Sequence, residues 1–260
     1  MYNFHTHTKR CGHAKGEDEE YILHAIENGY TTLGFSDHAP YIFPNKYEST
    51  FRIKSTKSAQ DYADSIRALQ GKYNDRIKIK LGFELEYYPE LHDEEMEYLS
   101  QFDYDYLILG QHFTDNEYEP YARYAGHPTD SPVVLDKYIS QVIMGARTGV
   151  FSYVAHPDVI NFTGDKKIYT KKMTHLAEKL NELDIPVEFN FLGFSTGRHY
   201  PNRDFWKIVS EVGNKVIIGL DAHEPDVFDN KKDLRKAHRY LNEFGIEPLE
   251  KFGIKKIKQD

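Results

Sequence analysis

Histidines and carboxylates recur along this chain as short clusters: His5-Thr6-His7, Cys11-Gly12-His13, Asp37-His38, Gly82-Phe83-Glu84, Gln111-His112-Phe113, Ala155-His156-Pro157 and Asp221-Ala222-His223. Nearly every cluster ends an apolar, strand-like run. Three of them place two donors two residues apart: His5 with His7, Glu84 with Glu86, and Asp221 with His223. On a strand that spacing points both side chains the same way, so each pair is suited to grip one ion. Imidazole combined with carboxylate suits Zn, Mn or Fe better than Ca or Mg. A carboxylate such as Glu84 can also bridge two ions. Two ions about 3.5–4 Å apart clamp an oxygen and bring the pKa of bound water to about 7. That chemistry makes hydroxide at neutral pH, ready to attack phosphorus.

Each cluster alone has an ordinary reading. A lone His-x-His is weak evidence for metal, Asp37-His38 could be a cap, Gly82-Phe83-Glu84 a plain strand end, and His156-Pro157 a turn. The joint pattern is different. Seven histidines, Glu84 and Asp221 at successive strand ends are improbable by chance. The other six histidines (His24, His92, His127, His175, His199 and His238) lie mostly in helix-like or loop-like stretches. Surface or packing roles are expected for them.

The elements that must gather these residues alternate along the chain. Apolar periodicity predicts strands at Tyr2–His5, Thr31–Asp37, Ile77–Leu85, Tyr104–Gln111, Phe151–Ala155, Pro186–Phe191 and Lys215–Leu220. Helical spacing predicts helices at Glu17–Asn28, Lys57–Lys72, His92–Ser100, Val133–Arg147, Tyr169–Glu182, Arg203–Glu211 and Lys231–Glu243. Asp204 and Asp226 are expected near helix starts, and Gly29 and Gly149 at helix stops. Repeated βα units imply a parallel sheet with right-handed crossovers. Seven of them, with polar residues at the strand ends, predict a closed α/β barrel with its site at the C-terminal rim. The long connections Tyr41–Ser58 and Thr114–Ser131 are expected to cover that rim. The basic tail Lys251–Asp260 is expected to fray.

Composition bounds the rest. A chain of 260 residues, 40% hydrophobic and 14% aromatic, can bury a sizeable core, and a single domain over 1–260 is expected. No apolar run is long enough for a membrane span, and MYNFHTHTKRC lacks the pattern of a signal peptide. A single cysteine, Cys11, excludes an internal disulfide and suits the cytoplasm. A formal net charge of −8 disfavours broad binding to nucleic acid or anionic membrane. It is compatible with an anionic small substrate, because bound cations reverse the local sign of a pocket.

Taken in order, HTH, CGHA, SDH, GFELE, GQHF, AHPD and GLDAH resemble the polymerase and histidinol phosphatase (PHP) superfamily, from the first residues to about Pro225. The resemblance implies a distorted seven-stranded (β/α) TIM-like barrel carrying two or three divalent metal ions (Zn, Mn or Fe). It implies that one ion takes His5, His7, Glu84 and Asp221. A second shares Glu84 and takes His112 and His156, and a third takes His13, His38 and His223. It further implies a metal-bridging hydroxide as nucleophile, with Asp221 or His223 as general acid.

Within the superfamily, the segment from His5 to Tyr41 looks most like histidinol-phosphate phosphatases of histidine biosynthesis. Gly197-Arg198-His199-Tyr200-Pro201 resembles their substrate loop, which makes Arg198 the candidate phosphate-binding residue: its guanidinium fork matches phosphate oxygens. Gly193-Phe194-Ser195 departs from that group's usual Gly-Leu-Arg, and Gln111 replaces a small residue, which is expected to narrow the pocket. The alternatives are phosphotyrosine or nucleotide hydrolysis by the same chemistry, with Tyr118–Tyr124 holding a ring, or a metal-bound barrel without activity. Exonuclease action is disfavoured by the acidic chain. Glu17, Asp115 and Glu117 are unranked candidates for reading the amine or imidazole of a substrate.

Overall fold

The computed structural model describes residues 1–255. Seven parallel strands form one sheet in the order β1-β2-β3-β4-β5-β6-β7. They are β1 Tyr2–Asn3, β2 Thr32–His38, β3 Lys78–Leu85, β4 Tyr106–Leu109, β5 Phe151–Val154, β6 Val187–Asn190 and β7 Val216–Gly219. The ends of the sheet meet through a parallel bridge between Thr6 and Ala222. His7 N–H donates to Ala222 O at 2.9 Å and Ala222 N–H to His5 O at 3.1 Å. The α/β, seven-stranded, TIM-like barrel expected from the sequence is therefore the fold.

Strand periodicity sorts the side chains. Leu81, Phe83, Leu107, Leu109, Val187 and Phe189 face outward into the main apolar core with the helices. Tyr106, Ile108, Tyr153, Ala155 and Ile217 point inward and fill the barrel with Phe4. Glu84, Glu188 and Asn190 share the inward parity but sit nearer the C-terminal ends, where the interior changes from apolar to polar. Buried Tyr106 donates its hydroxyl to the carbonyls of Phe4 and Phe35, at 2.8 and 3.0 Å. A phenol at the centre of the barrel thus satisfies its polar atom.

Among the described residues eight helices accompany the sheet: α1 Asp18–Glu27, α2 Thr56–Lys72, α3 His92–Ser100, α4 Pro132–Thr148, α5 Lys166–Glu182, α6 Phe191–Ser195, α7 Arg203–Val212 and α8 Lys231–Asn242. The buried positions of α4 (Leu135, Tyr138, Ile139, Val142, Ile143, Ala146) recur at helical spacing. Gly149 ends α4 in the left-handed conformation, φ 74°. Asp204 stands in the first turn of α7 and Asp226 in the first turn of a 3-10 helix, near helix starts as expected, while the capping side chains are asparagines. Asn202 caps α7, accepting from Asp204 N–H and Phe205 N–H; Asn230 caps α8, and Asp226 lies in a preceding 3-10 turn. An amide oxygen caps as well as a carboxylate. The short α6 was not expected, because Phe191 reads as a continuation of β6. Asn190 breaks the strand by accepting from Gly193 N–H at 2.9 Å.

The described part of the basic tail does not fray. Phe252 packs its ring on Phe4 and Tyr153, with centroids 5.7 and 5.8 Å apart. Lys255 N–H donates to Ser152 Oγ at 3.0 Å. The tail closes the N-terminal mouth of the barrel because that mouth exposes aromatic side chains that need cover; residues 256–260 lie outside the described residues. No helix among the described residues is long and apolar enough to cross a membrane. Phe252→Ala is expected to lower the unfolding free energy by about 2 kcal/mol, below the ~3–5 kcal/mol of a fully buried Phe because this ring is half-buried. A urea melt tests this; an unshifted midpoint would mean that the tail does not seal the barrel.

Candidate metal centre

The nine expected donors converge at the C-terminal rim. Register does the first part of the work: β2 and β3 pair over seven residues, which sets His38 directly across from Glu84. Glu84 is almost fully buried and stands between five imidazoles. Its Oε1 faces His156 Nε2 at 2.9 Å and His112 Nε2 at 3.7 Å. Its Oε2 faces His38 Nδ1 at 3.1 Å, and the Nε2 atoms of His5 and His7 at 3.4 Å each. Asp221 Oδ1 closes the other side, 3.1 Å from His7 Nε2 and 3.5 Å from His5 Nε2. The remaining pair, His13 and His223, lies at the lip, with ring centroids 4.7 Å apart.

Two glycines make room for this centre. A Cβ at Gly110 would overlap Glu84 Oε1, and one at Gly219 would overlap Glu188 Oε1. Two residues of the same rim carry unusual backbone: His156 and Asp221 adopt φ 29° and φ 50°, values uncommon for residues with a side chain.

A ring of buried carboxylates stands behind the imidazoles. Glu188 Oε1 takes His5 Nδ1 at 2.8 Å, Glu86 Oε1 takes His112 Nδ1 at 2.8 Å, and Asp37 Oδ1 lies 3.4 Å from His7 Nδ1. Holding Nδ1–H in this way turns each Nε2 lone pair toward the centre, as the outer partners of metal-binding histidines do. Glu188 was not singled out in the sequence; its signal was its position two residues before Asn190 on β6. Glu86 does not face the centre as a donor paired with Glu84. The strand ends at Leu85, and beyond it Glu86 turns to His112 and to Arg52, 3.0 Å away.

The electrostatics favour a cation. Burial lowers the pKa of His7, but hydrogen bonds and charge from Asp221, Asp37 and Glu84 outweigh it and push the ring up to about 9. His5 is likewise driven well up, against burial, by Glu188, Asp221 and Glu84. Burial raises the pKa of Glu84, yet His5, His112 and His38 hold it well below the usual carboxylate range. His223 is lowered to about 3 by burial and by His7, so its ring offers a neutral lone pair. Several buried polar atoms here also lack a hydrogen-bond partner among the described residues: Glu84 Oε2, His38 Nδ1 and His156 Nδ1. Buried polar atoms without partners are costly. Their convergence, with the mixed imidazole and carboxylate set, fits divalent metal ions.

Donor atoms within 4.8 Å of one another form the sets His5–His7–Glu84, His13–His38–His223, His38–Glu84–His112, His5–His156–Asp221 and His7–Cys11–His223. The first two match or fall within expected groupings. The third and fourth cross the expected division, since His38 also reaches Glu84 and His156 also reaches Asp221. Cys11, which was not a candidate, is drawn in because Gly12 folds the chain back at φ 88°.

A cavity of about 490 Å³ opens onto the centre. Thr50, Phe51, Phe113, Tyr124, Leu192 and Tyr200 form its walls, and Arg198 stands at its edge. Arg198 donates to Tyr200 Oη at 2.9 Å and, among the described residues, has no carboxylate within ion-pair distance. Its fork is therefore available. Several expectations fail here. Gln111 does not narrow the cavity: it is buried, accepting from Tyr87 N–H and donating to Phe113 O. Glu17, Asp115 and Glu117 are engaged by Lys9, Lys137 and Arg52 and do not line it. Of the Tyr118–Tyr124 stretch only Tyr124 reaches it, while Tyr118 packs on Phe43. The six other histidines lie outside the centre; His24 pairs with Asp229 and His199 with Val159 O.

The profile described as PHP domain matches residues 3–191. A relative from Deinococcus radiodurans, named "probable histidinol-phosphatase", is 29% identical over 228 residues, covering 85% of each chain. The histidinol-phosphatase of Lactococcus lactis is 25% identical over 280 aligned positions, covering 100% of this chain and 96% of the other. Among solved structures, histidinol phosphate phosphatase from Lactococcus lactis, complexed with zinc, L-histidinol and phosphate, superposes with a TM-score of 0.73. It has 17% identity and 96% of each chain is covered.

Gly110→Ala is expected to displace the Glu84 carboxylate and lower the number of ions bound per chain while the protein stays folded. Elemental analysis of purified protein checks it; full metal content would show that Glu84 has room to move.

Proposed function

The chain belongs to the PHP domain family, and on that premise we propose that it is a metal-dependent phosphomonoesterase hydrolysing L-histidinol phosphate to L-histidinol and phosphate, the phosphatase step of histidine biosynthesis. The observation that carries the reading is the division of Glu84: one oxygen faces His112 and His156, the other His5, His7 and His38. A carboxylate so placed can serve two cations. The relatives named as histidinol-phosphatases along most of the chain's length support the substrate.

In this reading His5, His7, Glu84 and Asp221 hold one ion, Glu84, His112 and His156 a second, and His13, His38 and His223 a third. Zn, Mn or Fe suits these donors. Such ions, when bound, supply water activated at neutral pH and offset the charge of the phosphoryl oxygens. The chain's own groups do the rest. Glu188, Glu86 and Asp37 keep the imidazoles turned inward. Arg198 binds and orients the phosphate from the open side of the cavity. Asp221 or His223, 3.3 Å apart and both lining the cavity, is the group placed to assist the leaving oxygen as general acid. The aromatic walls exclude water and hold the leaving group. The cavity volume suits a small phosphorylated molecule, and the acidic surface does not favour nucleic acid. The whole chain is read as one PHP-type unit that works in the cytoplasm, where its single cysteine remains reduced.

Phosphate release by Mn- or Zn-loaded protein from L-histidinol phosphate, phosphotyrosine, a nucleoside monophosphate and single-stranded DNA tests the substrate. Preference for histidinol phosphate by orders of magnitude in kcat/KM is expected; a different winner would leave the metal centre standing and remove the substrate. Glu84→Ala is expected to lose bound metal and to lower kcat by more than ~100-fold, beyond the effect of losing an outer partner; retained metal would break the shared-ligand assignment. Arg198→Ala is expected to lower kcat/KM about 10- to 150-fold, the scale of one charge-assisted hydrogen bond, with metal content unchanged. Unaltered kinetics would take Arg198 out of the site.

A further inference from the structure

Arg52 lies beneath the rim and is not a member of the centre, yet it is only 1% exposed. Its Nη1 donates to Glu86 Oε2 at 3.0 Å and to Ala39 O at 3.1 Å, and its Nε donates to Glu117 Oε2 at 3.0 Å. Its guanidinium lies over the rings of Phe51, Tyr41 and Phe43, 4.6, 5.0 and 5.6 Å from their centroids. Each partner belongs to a different rim segment. Ala39 follows His38, Glu86 follows β3, and Glu117 belongs to the connection after β4. Glu86 spends its other oxygen on His112 Nδ1, at 2.8 Å. Phe51, the neighbour of Arg52 in sequence, lines the cavity and packs against His38 and His112 at 4.8 and 5.5 Å.

We infer that Arg52 is a positioning residue: by holding Glu86, Glu117 and Ala39 O together it fixes the orientation of the His112 ring and the stance of Phe51, so that one buried guanidinium couples a metal donor to the cavity wall. The physical reason is the cost of the alternative. Burying a guanidinium with two carboxylates gains little stability over apolar packing, so stability does not explain its presence. Orientation does. A carboxylate free to turn about its last torsion would not hold Nδ1–H in one direction, and Nε2 would lose its aim at Glu84 Oε1. The planar fork reaches several acceptors at once, which a lysine ammonium does not do with the same geometry.

The inference rests on the proposed role of His112 as a metal ligand, and the test separates the two. Wild type, His112→Ala, Arg52→Lys and the charge-balanced double variant Arg52→Gln/Glu117→Gln are titrated with Zn²⁺ or Mn²⁺ against a chromophoric chelator. Circular-dichroism melts report folding. His112→Ala is expected to lose one ion per chain; if it binds as wild type does, the metal role of His112 fails. Given that loss, the Arg52 variants are expected to weaken one ion about 10- to 100-fold, the scale for outer partners of metal ligands, and leave the others unchanged. Their activity should recover in excess metal, while KM for the phosphate ester stays raised because Phe51 is displaced. Wild-type metal affinity in either folded Arg52 variant overturns the inference, as does equal weakening of every ion.

Discussion

A buried carboxylate surrounded by imidazoles is the constraint on which the rest of this structure depends. Glu84 is stable as an anion only because positive or hydrogen-bonding groups crowd both of its oxygens, and those groups, five imidazoles, come from four different places in the chain. The pairing of β2 with β3 brings His38 opposite it. Gly110 gives it space. The bridge between Thr6 and Ala222 brings the first and last strands together, and with them His5, His7 and Asp221. An open sheet would leave β1 and β7 at opposite edges and the site in two halves.

Around that carboxylate the polar interior is layered. The imidazoles stand closest, and behind them Glu188, Glu86 and Asp37 decide which ring nitrogen points inward. Behind Glu86 lies Arg52, which links the layer to the rim connections. Each layer supplies the charge that the one inside it lacks, and the concentration of acid around His5 and His7 makes the centre attractive to cations. The unusual backbone at His156 and Asp221 belongs to the same design: both side chains must leave a strand end and turn back over the barrel axis, and the closed barrel holds them there.

Much of this was legible in the sequence. The seven strands, all but one of the helices and the nine convergent donors follow from periodicity and from the recurrence of His, Asp and Glu at strand ends. The errors share a physical origin, since each concerns what a side chain meets across the fold. Glu86 has the same parity as Glu84, but the strand ends between them and it turns to Arg52. Gln111, expected to crowd the cavity, satisfies its amide on two backbone groups instead. Glu117 and Asp115 read as free acids in a loop and are committed to cations from distant segments. The tail looked like a solvated basic end, yet Phe252 finds the aromatic mouth of the barrel. The helix α6 hides because Phe191 continues an apolar run, and only the cap made by Asn190 ends it.

Local chemistry thus determined which elements form and which residue types stand at their ends, because strand alternation and helical spacing are properties of neighbouring residues and need no partner. It also determined the class of chemistry, since a set rich in imidazole with two carboxylates suits few tasks other than binding transition-metal cations. What tertiary structure alone decided is how those donors are shared: which oxygen of Glu84 faces which ring, which carboxylate steadies each histidine, that Arg198 stands at the cavity edge with no carboxylate among the described residues paired to it, and that Arg52 sits buried beneath the rim. These depend on register, on closure of the barrel and on the volume left by Gly110 and Gly219. Such quantities exist only once segments far apart in the chain have been packed against each other.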